Sequence, residues 1–353
     1  MVKYRSKFEK QVITNLPKKI KFYYEYKRLS YVQPAILRSY LPDLYFPNTN
    51  VFVELKGRFT LADRKKHLYL KSTGDYDIRL CFQNANVKIN KNSKTNPIWI
   101  MRQAGRYLPE FREIRKKNTD FIKLCLNSSL SAEITLQPLK RFDLDAAIIF
   151  SDILILPYGL KQKVEFKKNI GPILGDLNLN QAFEITESDF IERVDPVYKA
   201  INLVRNNNLT ENKSTIGFVG APWTLLVYIL NKQSPKIKLK ENFFKDFSII
   251  EKTLKIIDKF LKIHIKNQID SGADIIQIFD SWAGLLEDKD YDFYIYNPTC
   301  SLVEFTKSLN VPVICFPRGI KNYKKYCEIV KPDAICIDYE IDPIKIEKEI
   351  KIP

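Results

Sequence analysis

Six short apolar runs recur through the larger part of the chain, at residues 98–101, 146–150, 216–219, 275–279, 311–316 and 334–337. Each is short for a helix and suits a strand buried on both faces. Amphipathic stretches separate them. Residues 247–269, for example, set Phe247, Ile250, Leu254, Ile257, Leu261, His264 and Ile265 on one helical face. Strands alternating with helices call for parallel pairing through right-handed crossovers. An open doubly wound sheet and a (β/α) barrel both satisfy that pattern.

The ends of the runs choose between them. Ser151 and Asp152 follow the second run, the third ends at Gly220, and the fourth is followed by Asp280, Ser281, Trp282, Ala283 and Gly284. Polar residues and glycines at several C-terminal strand ends are where barrel enzymes place their chemistry. No G-x-G-x-x-G follows any run, so a dinucleotide site is not expected. The first run breaks into Arg102, Gln103, Ala104, Gly105 and Arg106, with Arg112 and Arg115 on the next helical face. Guanidinium forks pair bidentately with carboxylates and phosphates, so this turn reads as a site for several anions, or else as a solvated strand end. Asp152 lies between two apolar stretches, which suits either a helix cap or a carboxylate whose field is strengthened by apolar walls.

Charge divides the chain. Residues 1–95 carry 20 Lys and Arg against 7 Asp and Glu, whereas the remainder holds 37 against 34. The polar, aperiodic stretch 90–96 marks the boundary, giving expected domains at 1–95 and 96–353. A basic first segment points to nucleic acid or to a solvated face. Six cysteines at irregular spacing, without a Cys-x-x-Cys pair, fit reduced thiols in a cytoplasmic protein, and only two histidines, His67 and His264, argue against a His-based metal centre. No run is long enough to span a membrane and no apolar segment opens the chain, so neither membrane insertion nor secretion is expected.

Residues 97–115 closely resemble the signature of the uroporphyrinogen decarboxylase family. The likeness continues through 132–138, Arg141 and Phe142, 146–156, 217–228 and 277–284. It implies a TIM-type (β/α)8 barrel that removes acetate carboxyls from uroporphyrinogen, giving coproporphyrinogen in haem synthesis, without a cofactor. Carried over residue by residue, it places Arg102, Gln103, Ala104, Arg106 and Arg115 around the substrate and has Asp152, Tyr228 and Ser281 line the pocket. Asp152 would face the pyrrole N–H groups, Arg102 would assist protonation, and Tyr228 and Ser281 would bond carboxylates or assist proton movement. The family continues with two further strands, a Gly-Asn-Leu-Asp-Pro segment and a pocket histidine that this sequence does not contain. An incomplete barrel with six of eight strands is therefore expected, with two open edges and no turnover by the isolated chain.

The basic segment has its own constellation. Asp43 follows Pro42 in a turn, and residues 51–57 read as a strand in which period-two alternation sets Glu54 and Lys56 on one face. Carboxylates holding Mg²⁺ (or Mn²⁺) against a phosphate, with a lysine activating water, form a nuclease arrangement, which Glu9 could complete. Residues 4–90 resemble the phage endonuclease I family of junction-resolving nucleases at 8–10, 21–25, 42–57, 63–68 and 77–79. The resemblance implies a small α/β restriction-endonuclease-like domain with Glu9, Asp43, Glu54 and Lys56 as active site. Arg64, Lys65, Lys66 and His67 would lie near the phosphates of branched DNA, and an intertwined homodimer would form. A bifunctional enzyme and a non-functional chimera of two genes are both compatible with such a chain.

Overall fold

The computed structural model describes residues 13–14, 23–24, 29–33, 36–40, 44–46, 51–56, 77–82, 97–167, 170–235, 239–240 and 243–353. The chain divides into two compact units, Met1–Val87 and Lys88–Pro353.

In the first unit, β1 (Tyr23–Tyr24), β4 (Leu44–Phe46), β5 (Val51–Lys56) and β6 (Asp77–Phe82) form a mixed sheet in the order β1-β4-β5-β6. β5 pairs antiparallel with β4 and parallel with β6. β2 (Leu29–Gln33) and β3 (Ile36–Tyr40) form a separate antiparallel pair. Glu54 and Lys56 lie in β5. Glu9, Asp43, Arg64, Lys65, Lys66 and His67 fall outside the described residues.

The second unit opens with residues 97–108, then α1 (Pro109–Lys117), α2 (Phe121–Cys125) and α3 (Ser128–Arg141). Strand β7 (Ala146–Ile148) leads to α4 (Ile155–Gly159), the hairpin β8 (Val164–Lys167) and β9 (Gly171–Leu174), then α5 (Leu179–Glu184) and α6 (Glu187–Arg205). After these come β10 (Ser214–Gly220), α7 (Pro222–Asn231), α8 (Phe247–Asp270), β11 (Ile275–Asp280) and α9 (Asn297–Ser308). The chain finishes with β12 (Val313–Pro317), α10 (Tyr323–Val330), β13 (Ala334–Ile335) and α11 (Pro343–Glu349). Local chemistry sets many of the starts. Asp120, Asn127, Asp246 and Asn322 each accept a first-turn N–H, and Thr186 with Asp189 closes a capping box.

The sheet runs β7-β10-β11-β12-β13, all parallel, in spatial order identical to sequence order. A doubly wound sheet reverses its order at a switch point; this one does not. Register fixes what each face carries. Ala147, Val219, Ile276, Ile278, Val313 and Cys315 join the main core with the helices, where Phe190, Phe260 and Trp223 are fully buried. Burying a Phe such as Phe260 contributes about 2–3 kcal/mol. Ala146, Ile148 and Ile216 lie on the other face, with Phe218, Ile275, Phe279 and Trp99 packed beside them. Gly217 lets α8 approach β10, since a Cβ there would lie 2.6 Å from Gln268 Oε1. That oxygen accepts from Phe218 N at 3.0 Å, and Gln268 Nε2 donates to Phe218 O at 3.1 Å.

The first apolar run departs from expectation. Residues 98–101 form no strand, and the parallel sheet has five strands among the described residues. A single backbone bond joins the segment to the sheet, from Asp145 N to Ile98 O at 2.8 Å. Ile98 N is taken by the Asp145 carboxylate, Ile100 N by Gln103 Oε1, and both isoleucine side chains are exposed. With one sheet neighbour, and side-chain acceptors for its N–H groups, the run cannot continue a ladder. Other strands are shorter or shifted, β7 ending at Ile148, β12 starting at Val313 and β13 ending at Ile335. Phe247 opens α8 but is half exposed, and the buried stripe runs instead through Ile250, Ile257, Leu261, His264 and Ile265 with Thr253, Ile256 and Phe260. No helix among the described residues is long and apolar enough to cross a membrane.

Candidate active site

The arginine-rich turn is built around Gln103. Its side chain is buried, its Oε1 holds Ile100 N at 3.1 Å, and its carbonyl accepts from the Tyr107 hydroxyl. Leu108 N closes the turn on Gly105 O at 3.0 Å, and Leu108 anchors it in a cluster with Phe111, Leu124 and Ile134. The four arginines then separate by role. Arg112 Nη1 donates to the carbonyls of Arg106 and Tyr107, at 2.9 and 3.3 Å. Arg115 donates to Asn118 O and lies 5.4 Å from the centre of the Phe121 ring. Arg102 and Arg106 are exposed, and Ala104 is half-buried beside them.

Asp152 stands after β7, and its Oδ1 accepts from Leu154 N at 2.8 Å, an Asx turn at the start of α4. The capping bond uses Oδ1 and leaves Oδ2 without a protein hydrogen bond among the described residues. Protein packed around Asp152 raises its carboxyl from 3.8 to about 6, against the opposing pull of Leu154 N–H and the Arg102 charge. At pH 7 the group is mostly ionised.

Tyr228 projects from α7 and feels both Asp152 and Arg102, while burial raises its phenol. Its ring meets Trp282 edge-on at 6.1 Å. Trp282 Nε1 lies close to the Tyr228 hydroxyl without completing a hydrogen bond. Ser281 is half-buried directly after β11. Arg102, Asp152 and Tyr228 are thus mutually close, and Ser281 reaches the same end of the sheet through its neighbour Trp282. Arg106 makes no side-chain contact to the group among the described residues.

Asp280, to which the sequence alone assigns no role, ties this end together. Its Oδ1 accepts from Thr224 Oγ1 at 2.7 Å, Thr224 Oγ1 accepts from Trp282 N at 3.2 Å, and Trp282 O accepts from Trp223 Nε1 at 2.9 Å. The turn bearing Ser281 is so strapped to the helix bearing Tyr228. Asp280 is 1% exposed, its Oδ2 is unpartnered, and burial lifts its carboxyl to about 7. Position after an apolar strand was the available signal, but Asp152 has the same one. His264 lies on the helical side of the sheet, bonded to Tyr198 at 2.9 Å. No cluster of three His, Cys, Asp or Glu side chains able to hold a metal occurs among the described residues.

A family model described as uroporphyrinogen decarboxylase matches residues 86–352, and one described as phage endonuclease I matches residues 1–108. The chain is similar to the uroporphyrinogen decarboxylase of Rickettsia felis, 38% identical over 74% of this chain and 76% of the relative. It is 41% identical to that of Orientia tsutsugamushi strain Ikeda over 73% and 78%, and 40% identical to that of Rickettsia bellii over 69% and 72%. A solved methyltransferase structure from Methanosarcina mazei aligns at 16% identity and TM-score 0.48, over 67% of this chain and 79% of its own.

Proposed function

The chain belongs to the uroporphyrinogen decarboxylase family over residues 86–352, and from that premise we propose that it decarboxylates the acetate side chains of uroporphyrinogen at the Asp152 end of its sheet. The observation that carries the reading is the place of Asp152 directly after β7, its Oδ1 tied to Leu154 N and its carboxyl within electrostatic reach of Arg102 and Tyr228. In the reaction a proton adds to the pyrrole carbon bearing the acetate, making the ring a cation. The bond to the carboxyl then breaks, CO₂ leaves and its electron pair enters the ring. The freed methylene takes a proton to become methyl, and the ring proton is lost, so each carboxyl removed consumes one proton overall. The ring itself serves as electron sink, and no cofactor is required.

The residues divide the work accordingly. Asp152 Oδ2 accepts from pyrrole N–H and stabilises the cation by preorganised charge. Arg102 and Arg106 hold acetate and propionate groups, and Arg102 assists the ring protonation. Tyr228 and Ser281 bond carboxylates on the far side. Gln103 and Ala104 shape the turn, Arg112 braces it from α1, and Arg115 adds positive charge for the substrate's carboxylates. The sequential order of five parallel strands favours the TIM-type barrel over a doubly wound sheet, in a cytoplasmic protein. The test is anaerobic incubation with uroporphyrinogen. Coproporphyrinogen formed by the wild type and lost in Asp152→Ala supports the reading, whereas equal product from both refutes Asp152 as its centre. The same incubation decides the expectation of an inert isolated chain.

The match to phage endonuclease I over residues 1–108 favours a second activity in the first unit. In this reading residues 1–95 form a Mg²⁺-dependent nuclease, working as a homodimer on branched DNA. Asp43 and Glu54 would hold the metal, with Glu9 and Lys56 completing the site. Cleavage of four-way junctions that survives Asp152→Ala but not Glu54→Ala supports it. No cleavage by the wild type with Mg²⁺ or Mn²⁺ would instead favour the chimera.

A further inference from the structure

We propose that Arg318 is a substrate-binding residue that holds a carboxylate on the side of the macrocycle away from Asp152; this rests on the decarboxylase reading. Sheet register places it. Ile314 lies opposite Gln277, Phe316 opposite Phe279 and Pro317 opposite Asp280. Arg318 N donates to Asp280 O at 3.0 Å and carries the ladder one residue further. Ser281 and Arg318 are therefore lateral neighbours at adjacent strand ends, about 4.8 Å apart along the sheet. The strand ends at Pro317, and Arg318 N, shared with Phe316 O at 3.2 Å, sets Arg318 in the turn at this end of the sheet.

The backbone there is fixed. Gly284 N donates to Arg318 O at 3.0 Å, and the loops after β11 and β12 cross so closely that a Cβ on Gly284 would lie 2.8 Å from Gly319 O. The side chain, by contrast, is restrained but unsatisfied. Its relative exposure is 53%, and Nε lies 3.9 Å from Asp338 Oδ1, beyond hydrogen-bond range. Asp338 is itself anchored, its Oδ2 accepting from Gly319 N at 2.6 Å and Tyr323 Oη at 2.9 Å. The five N–H donors of Arg318 make no hydrogen bond among the described residues. A guanidinium aimed by a fixed acid and left with open donors suits a bidentate carboxylate.

Distance sets which carboxylate. From the end of β7 to the end of β12 are three strand spacings, roughly 14 Å. The side chains of a pyrrole seated over Asp152 would have to stretch most of that way. A second ring of the same macrocycle brings its carboxylates there without strain.

Arg318→Met and Arg318→Lys test this, with thermal unfolding confirming that each variant is folded. We expect Arg318→Met to raise KM for uroporphyrinogen about tenfold with kcat unchanged, the loss of one charge-assisted pair, and Arg318→Lys to restore most of it. A monopyrrole bearing one acetate and one propionate, too short to span the sheet, should bind both variants and the wild type equally. Binding of oxidised uroporphyrin, read by fluorescence, serves as the turnover-independent measure and should weaken likewise. Unchanged KM and uroporphyrin affinity in Arg318→Met, or a fall confined to kcat, would overturn the proposal. A wild type that binds no uroporphyrin would overturn the decarboxylase reading itself.

Discussion

Replacing Asp280 by Asn should make the protein more stable above neutral pH and less stable, by about 1–3 kcal/mol, in acid. Asp280 is buried, its Oδ2 has no partner, and its carboxyl is raised from 3.8 to about 7 by burial. Between those values the native state keeps a proton that the unfolded chain has released, so stability falls as pH rises. The loss begins near pH 4 and is complete above about pH 7. A displacement of about three pH units corresponds to about 4 kcal/mol at 1.36 kcal/mol per unit. Asn keeps an oxygen for Thr224 Oγ1 and cannot ionise. Its amide would stand unpartnered, at a pH-independent cost of about 1–3 kcal/mol. Urea unfolding of both proteins at pH 5 and pH 8 measures the difference. Asp152 and His264 titrate in both and cancel. The expected result is that Asp280→Asn gains about 2–4 kcal/mol relative to wild type between the two pH values. Parallel stability curves would show that Asp280 is ionised throughout, and the neutral-acid account would fail.

Three further outcomes follow from the same geometry. With Asp152 raised to about 6, kcat/KM should fall tenfold per unit below about pH 6; Asp152→Asn should lose that limb and at least a hundredfold in rate, as initial rates across pH 5–8 would show. Burial lowers His264 to about 4 from 6.5, so its proton is taken up more readily by the unfolded chain and stability is lost as pH falls between those values. His264→Phe should abolish that loss while costing about 1–3 kcal/mol at pH 7 through the orphaned Tyr198 hydroxyl, measurable by urea midpoints at pH 5 and 7. Gly284→Ala drives a Cβ into Gly319 backbone and should cost about 1–3 kcal/mol and weaken uroporphyrin binding; an unchanged melting temperature would show that the loops can part.

How far the sequence speaks for itself differs from residue to residue. The β/α alternation was legible because burial on both faces leaves a continuous apolar run, and β10 and β11 fall where such runs stand. Residues 98–101 carry the same run and form no strand, because pairing depends on what lies alongside, which a local pattern does not contain. Asp152 can be singled out from its surrounding string, and its Asx bond to Leu154 is what the capping alternative expects. Asp280 has the same local signature, an acid after an apolar strand. Only burial against Thr224 separates its role from that of Asp152. Arg318 lies 37 positions from Ser281 in sequence and becomes its neighbour only through the β11–β12 register.

The identity of spatial and sequence order in the sheet bears on how this unit reaches its native state. Each strand from β10 to β13 docks beside one already made, and no strand must be inserted between two earlier ones. A chain leaving the ribosome can therefore grow its sheet from one edge, adding a β/α unit at a time. Loop closure is then limited to the interval between consecutive strands, which keeps its entropic cost low. Synthesis and assembly can proceed in the same direction.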